Sequence, residues 1–316
     1  MHPFAAGLAL VIAMPQFHAA QSAGDISQTD VLATDTDQSE RLTVPVKLGK
    51  NGPFRFMIDT GSQNTVVSNT LVSKLALVSN ARAKLVGVAG FQTVDTVEID
   101  EIALGRRSYY GLVAPVLQHR GMGSDGILGL DSLQDQRVLI DFRKGLMAVD
   151  DAKALGGNVG FDIVVTARRR SGQLILTNAL IDGVRVDVVI DTGTDTTLGN
   201  RALQKALGRR GHVTSQSMLH SVTGQKLLAD MGYANELKLQ GATIQRVVLA
   251  FSDSPTFAHL GLGNKPAVFL GMREMRVFPR VAIDFKTRKV LFELPDASDP
   301  AYFGIDQHAK ATHLKP

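Results

Sequence analysis

Asp59 and Asp191 are the residues best placed to do chemistry in this 316-residue chain. Each opens an Asp-Thr-Gly triplet, Asp59-Thr60-Gly61 and Asp191-Thr192-Gly193. Each triplet follows a short apolar run and precedes a hydroxyl residue, Ser62 or Thr194. One such triplet is a glycine turn after a core strand, a setting in which Asp is commonplace. Two in matching context imply carboxylates built by duplication to face each other. Carboxylates within hydrogen-bonding distance cannot both ionise cheaply, so the pair shares one proton and titrates as a unit. The ionised member can take a proton from a trapped water. The protonated member can hydrogen-bond a carbonyl oxygen and stabilise the charge that develops there.

The elements around the two triplets repeat as well. At an offset of 132 residues, Ile58 aligns with Ile190, Thr65 with Thr197, Leu71 with Leu203 and Leu75 with Leu207. Both copies read as a buried strand, a tight glycine turn, hydroxyl-rich residues and a short amphipathic helix. Ser68 and Asn200 are placed to cap those helices, and the leucines four apart supply their buried stripe. The offset grows to 134 at Gly90 and Gly224, 142 at Gly129 and Gly271, and 143 where residues 137–142 align with 280–285. Loop insertions between fixed elements produce such a drift. The period is far longer than that of a solenoid, so the chain reads as two lobes.

Composition agrees with this organisation. The chain is long enough for two cores, and its 44% apolar and 20% charged residues are ordinary for a globular protein. Val, Ile, Thr and Gly recur in many short segments, which favours mostly β structure. There is no cysteine, which excludes disulfides, thiolate nucleophiles and Cys-ligated zinc. The net charge of +4 is spread over short runs, Arg106-Arg107, Arg168-Arg169-Arg170 and Arg209-Arg210, with no Trp and four Tyr. These read as solvated surface and turns, so nucleic acid is not expected as a partner. Phe4 to Met14 is an apolar run of signal-peptide length followed by small residues. Residues 1–23 are therefore expected to direct export to the periplasm or the exterior, with membrane proximity if they are retained. Residues 24–40 are polar and expected to be a flexible lead-in.

Other motifs carry less. Residues 121–126 fit the dinucleotide pattern G-x-G-x-x-G, yet no alternation of strands and helices surrounds them, and a loop entering Ile127-Leu128-Gly129 is the better account. The eight His show no metal-ligand spacing, so no metal is expected. Asp141 and Asp284 follow apolar strands but precede Phe142 and Phe285 and lack a Thr-Gly, which points to turn or surface roles. Ser62, Ser68 and Ser221 lack the G-x-S-x-G elbow of serine hydrolases.

From near Val44 to Leu294, about 250 residues, the chain resembles the pepsin and retropepsin-like aspartic peptidases in their single-chain, two-lobed, bacterial-type form. The resemblance implies a mostly β, bilobal acid-protease fold: two pseudo-two-fold related, β-barrel-like lobes with short helices. It implies a first lobe over 41–152, a linker over 153–160, a second lobe over 161–295 and a tail over 296–316. Asp59 and Asp191 would be the catalytic dyad. Gly61 and Gly193 would aim amides at the carboxylates, Ser62 and Thr194 would donate hydroxyls to their outer oxygens, and Thr60 and Thr192 would reach across to lock the loops. Leu128-Gly129 and Leu270-Gly271 would thread beneath the dyad. Flap hairpins, which here lack tyrosine, would place Gly87, Val88, Gly90 and Phe91 from one lobe, and Val222, Thr223 and Gly224 from the other, over a peptide substrate. No organic cofactor or homodimer is required by this arrangement. Its rival is a catalytically silent peptide-binding module of the same fold in the cell envelope, against which both intact triplets argue.

Overall fold

The computed structural model describes residues 31–33, 35–36, 42–105, 107–296 and 305–306. The expected export segment, residues 1–23, lies outside them. Three sheets organise the described residues. One runs through the first lobe from Leu42 to Leu128 and another through the second from Arg168 to Leu270. Within each lobe the sheet also closes partly on itself. Lys47 and Leu48 pair with Ala103 and Ile102 in one, and Leu180 and Ile181 pair with Lys238 and Leu237 in the other. Mostly β, barrel-like lobes result, with only short helices between the strands.

The strands ending at the triplets show why their sequences are so apolar. Asn51–Ile58 begins exposed, turns Phe54 and Phe56 inward, and then buries Met57 and Ile58 as well. Its last residues are covered on both faces, and only a continuous apolar run tolerates that. Val184–Ile190 does the same with Val188, Val189 and Ile190. Each such side chain contributes about 1.5–3 kcal/mol of transfer free energy. The helices behind the triplets form as the sequence predicts. Ser68 Oγ accepts the Leu71 amide at 3.1 Å to start Asn69–Lys74, and Asn200 Oδ1 accepts the Leu203 amide at 2.9 Å to start Arg201–Leu207. Leu71, Leu203 and Leu207 are buried beneath them.

The third sheet joins the lobes. Its centre is an antiparallel pair, Arg137–Asp141 against Arg280–Asp284, with Leu139 opposite Ala282. Aligning the halves equates these two segments, and the fold hydrogen-bonds them to each other across the pseudo-two-fold axis. Leu146–Asp150 flanks the pair on one side and Lys289–Phe292 with Ile163–Thr166 on the other. Asp141 and Asp284 do serve turns, accepting the amides of Lys144 and Thr287, but they are buried instead of lying on the surface. The reason is that their strands pair with each other at the centre of the sheet, with the Phe142 amide bonded to the Pro279 carbonyl and the Phe285 amide to the Gln136 carbonyl.

Short strands extend the sheets at both ends of the chain. Part of the expected flexible lead-in is ordered, because Val31–Ala33 pairs with Leu146–Ala148 at the edge of the joining sheet and Asp35–Thr36 pairs with Leu42 and Thr43. In the tail, Ile305–Asp306 pairs with Thr243 and Ile244. No helix among the described residues is long and apolar enough to cross a membrane.

Candidate active site

Asp59 and Asp191 lie at the ends of matching strands, each held by the same device. Gly126–Leu128 runs parallel to the strand before Asp59 and antiparallel to Val66–Ser68, and the Leu128 carbonyl accepts the Asp59 amide at 3.1 Å. Ala267–Leu270 is placed likewise in the second lobe, and the Leu270 carbonyl accepts the Asp191 amide at 3.1 Å. Gly129 and Gly271 then pass directly under the triplet loops. A Cβ on Gly129 would sit 2.8 Å from the Thr65 nitrogen, and one on Gly271 would sit 2.9 Å from a Thr196 backbone carbon, so neither position admits a side chain.

The two loops meet face to face. Thr60 Oγ1 donates to the Ile190 carbonyl at 2.9 Å and accepts the Thr192 amide at 3.2 Å. Thr192 Oγ1 donates to the Ile58 carbonyl at 2.8 Å and accepts the Thr60 amide at 3.1 Å. Both threonines are buried, and this reciprocal exchange satisfies their hydroxyls in full. It also brings each glycine against the opposite carboxyl, since a Cβ on Gly61 would lie 2.8 Å from the Asp191 carboxyl carbon.

The carboxyls are in unequal surroundings. Asp59 Oδ1 accepts the amides of Gly61 and Ser62 at 2.8 and 3.0 Å. Asp191 is 7% exposed and accepts the Gly193 amide at 2.9 Å. Burial, then the neighbouring Asp59 charge, hold the Asp191 carboxyl well above the ordinary range; the Gly193 amide opposes this, and a hydrogen bond with Asp59 adds to it. The cavity above the pair has a volume of about 350 Å³. Leu85, Val66, Leu198 and Phe269 are among its apolar walls, and the tips of two hairpins roof it.

These observations place the chain among known proteins. The aspartyl protease family model matches residues 44–132 and 177–273, one stretch in each lobe and more than half of the chain together. The chain belongs to the aspartyl protease family. No curated protein matches it. Each matched stretch contains one triplet, its helix and its buried glycine segment.

Several site residues stand where the sequence predicts and others do not. The hairpin Ser79–Gly87 with Gly90–Leu104 brings Gly87 and Val88 to the cavity, and the turn after Ser215–His220 brings Val222 and Thr223. Phe91 does not cover the cleft. It is not among the residues lining the cavity; its side chain is 54% exposed, with the Lys84 ammonium 4.5 Å from its ring. Gly90 and Gly224 serve the turns behind the wall, both at positive φ. The two tips touch, with Gln225 Nε2 donating to the Phe91 carbonyl at 3.3 Å. The hydroxyls after the triplets also differ from expectation. Ser62 Oγ donates to the Asn64 carbonyl at 2.8 Å and Thr194 Oγ1 to the Thr196 carbonyl at 3.1 Å, so each closes its own loop instead of capping a carboxylate. Among the described residues no cluster of three or more His, Asp or Glu could hold a metal ion.

Sequence reasoning missed a second pair of carboxyls beneath the loops. Asp131 accepts the Thr65 amide at 2.9 Å and the Thr65 hydroxyl at 2.6 Å, and that hydroxyl accepts the Gly129 amide at 3.2 Å. In the second lobe Glu274 accepts the Thr197 hydroxyl, which accepts the Gly271 amide at 3.1 Å. The matched threonines were the available signal, together with an acid two or three residues past each buried glycine. Burial raises the Glu274 carboxyl above its ordinary range, with the Thr197 hydrogen bond opposing. An acid raised in the folded state contributes stability present at low pH and lost as pH rises through the raised value. Glu274→Gln, neutral at every pH, should therefore lose less stability than wild type as pH rises through and above the ordinary carboxylate range. Urea midpoints across that range check this, and parallel pH profiles would refute it.

Proposed function

We propose that the protein is an aspartic endopeptidase in which Asp59 and Asp191 activate a water for attack on a peptide carbonyl. The observation that carries the proposal is a pair of unlike carboxyls, one from each lobe, lining a single cavity with apolar residues in its walls. Asp59, with two amide donors, is the member that ionises first. Asp191, buried and beside that charge, is the member that keeps the shared proton. Water placed between them loses a proton to Asp59 as its oxygen bonds to the carbonyl carbon, while Asp191 protonates the carbonyl oxygen. Collapse of the resulting diol breaks the carbon–nitrogen bond as Asp59 returns its proton to the leaving amine. The diol hydroxyl then reprotonates Asp191, and atoms and charge balance.

A mass-spectrometric cleavage assay on a diverse peptide library tests this reading. Cuts at internal bonds are expected from the folded wild-type protein, and none from it would favour the silent binding module. The pH dependence follows from the same geometry. As pH rises through the raised Asp191 value the shared proton is lost and turnover falls, and at strong acid Asp59 is protonated and turnover falls again. The kcat/KM profile should thus be a bell centred on the acid side of neutrality. Activity that rises into alkaline pH would exclude the shared proton. Export remains part of the proposal and rests on the apolar run at Phe4 to Met14.

A further inference from the structure

The arginine triplet at 168–170, read from sequence as solvated surface, lines a cavity next to the active-site cleft. Arg168–Arg170 is a strand at the end of the second-lobe sheet, paired with Gln173–Ile175. All three arginines are exposed, and with Lys265 they surround a depression of about 180 Å³ floored by Ile175 and Leu262. Asp187 also lines it, so the lining holds four cationic residues and one carboxylate. Arg169 lies 3.9 Å from Asp135, a pair open to solvent and therefore weak. Among the described residues no carboxylate forms an ion pair with Arg168, Arg170 or Lys265.

This depression is linked to the cleft. Ser62 and Thr256 line the cleft, while Gln63 and His259, one residue and one helical turn further on, line an open groove of about 430 Å³. Arg169 lines both that groove and the arginine depression. The hairpin carrying the arginines is moored to the first active-site loop. Gln63 Nε2 donates to the Ser171 carbonyl at 3.3 Å, and Gln173 Nε2 donates to the Gly61 carbonyl. A chain leaving the dyad past Gln63 and His259 therefore runs onto a concave surface of mainly positive charge. Such surfaces raise the local concentration of oppositely charged ligands and speed their capture.

We propose that the Arg168–Arg170 strand and Lys265 form an exosite for acidic residues of the substrate chain, remote from the bond that is cut. The inference rests on the peptidase reading and adds a substrate class to it. A polypeptide fits better than an anionic membrane surface, because the cations line a recess continuous with a peptide cleft instead of a protruding face.

The test uses one cleavable peptide carrying a tail of Glu or of Gln, placed at successive distances on either side of the cut. Binding is measured on Asp59→Ala protein so that nothing is hydrolysed, and cleavage on wild type. At low salt the Glu-tailed peptide should bind about tenfold tighter and show a lower KM with unchanged kcat, the effect of a few exposed ion pairs. The preference should fade with added salt and vanish in Arg168→Glu/Arg170→Glu/Lys265→Glu. The single change Arg169→Gln, a mild substitution at an exposed site, should reduce it about threefold. Equal binding of both tails, or a preference that survives the charge reversal, would overturn the exosite. So would sedimentation with phosphatidylserine vesicles in place of peptide binding. Absence of cleavage of either peptide with the binding preference intact would refute the peptidase reading and leave the acidic-ligand site standing.

Discussion

Purified Asp59→Ala protein is expected to lose peptide cleavage by about a thousandfold or more while remaining folded. The loss follows from what the side chain holds. Without Asp59 no carboxylate receives the proton of the attacking water. Asp191 also loses the neighbouring charge and hydrogen bond that help to raise it, so it no longer carries a proton over the same pH range. Both functions of the pair fail together. Asp191→Ala should therefore be as severe, and the double variant no worse than either single one, because residues acting as a unit are not additive. Stability should hold or improve, since removing one of two crowded acids relieves their repulsion. The Gly61 and Ser62 amides that Asp59 releases face a cavity large enough for water to satisfy them. Cleavage rates with urea midpoints measured on the same samples separate chemistry from folding. Turnover persisting in Asp59→Ala would sink the dyad assignment.

The division into lobes and the pair of facing loops were legible in the sequence because duplication repeats them. Asp-Thr-Gly, the capped helix and the buried glycine each occur twice, and chance does not preserve their order. What was not legible depends on side-chain direction or on contacts between the halves. Ser62 and Thr194 sit where a hydroxyl could reach a carboxylate, yet the loop turns each toward a carbonyl two residues on. Residue type allows either bond, and only the torsions of the loop decide. Phe91 reads as a lid because it is apolar and near the hairpin tip, but its ring lies in solvent beside the Lys84 ammonium. Asp131 and Glu274 were hidden by their unequal spacing from the buried glycines, two residues in one lobe and three in the other. The arginine triplet is exposed, as a charge run suggests, but its place on the wall of a recess depends on the fold around it.

The joining sheet was the least legible element, and it supports the second large effect. Asp284→Ala is expected to destabilise the protein by about 3–5 kcal/mol, the cost of leaving a buried charge without its partner. Arg137 is 3% exposed and donates from Nε and Nη2 to Asp284 Oδ2 at 3.2 and 2.9 Å. The same guanidinium donates to the Gly157 carbonyl and, at 3.1 Å, to Asn158 Oδ1, which ties the crossing between lobes to the centre of the sheet. Removing the carboxylate strands that cation among groups that cannot neutralise it. The pseudo-two-fold mate supplies an internal control. Arg280 lies opposite Asp141 in the register but pairs with Glu293, and both partners keep 14% exposure, so water can compensate a loss there. Arg280→Ala should cost only about 1 kcal/mol. Replacing both buried partners with apolar residues, Arg137→Leu with Asp284→Leu, should recover much of the loss, because the penalty belongs to the unpaired charge. Urea denaturation of the three variants distinguishes these cases. If Asp284→Ala cost no more than Arg280→Ala, the buried pair would not be what fixes the lobes against each other. The alignment of the two carboxyls would then rest on the backbone pairing of the joining sheet and on bonds between the loops, the reciprocal Thr60 and Thr192 pair among them.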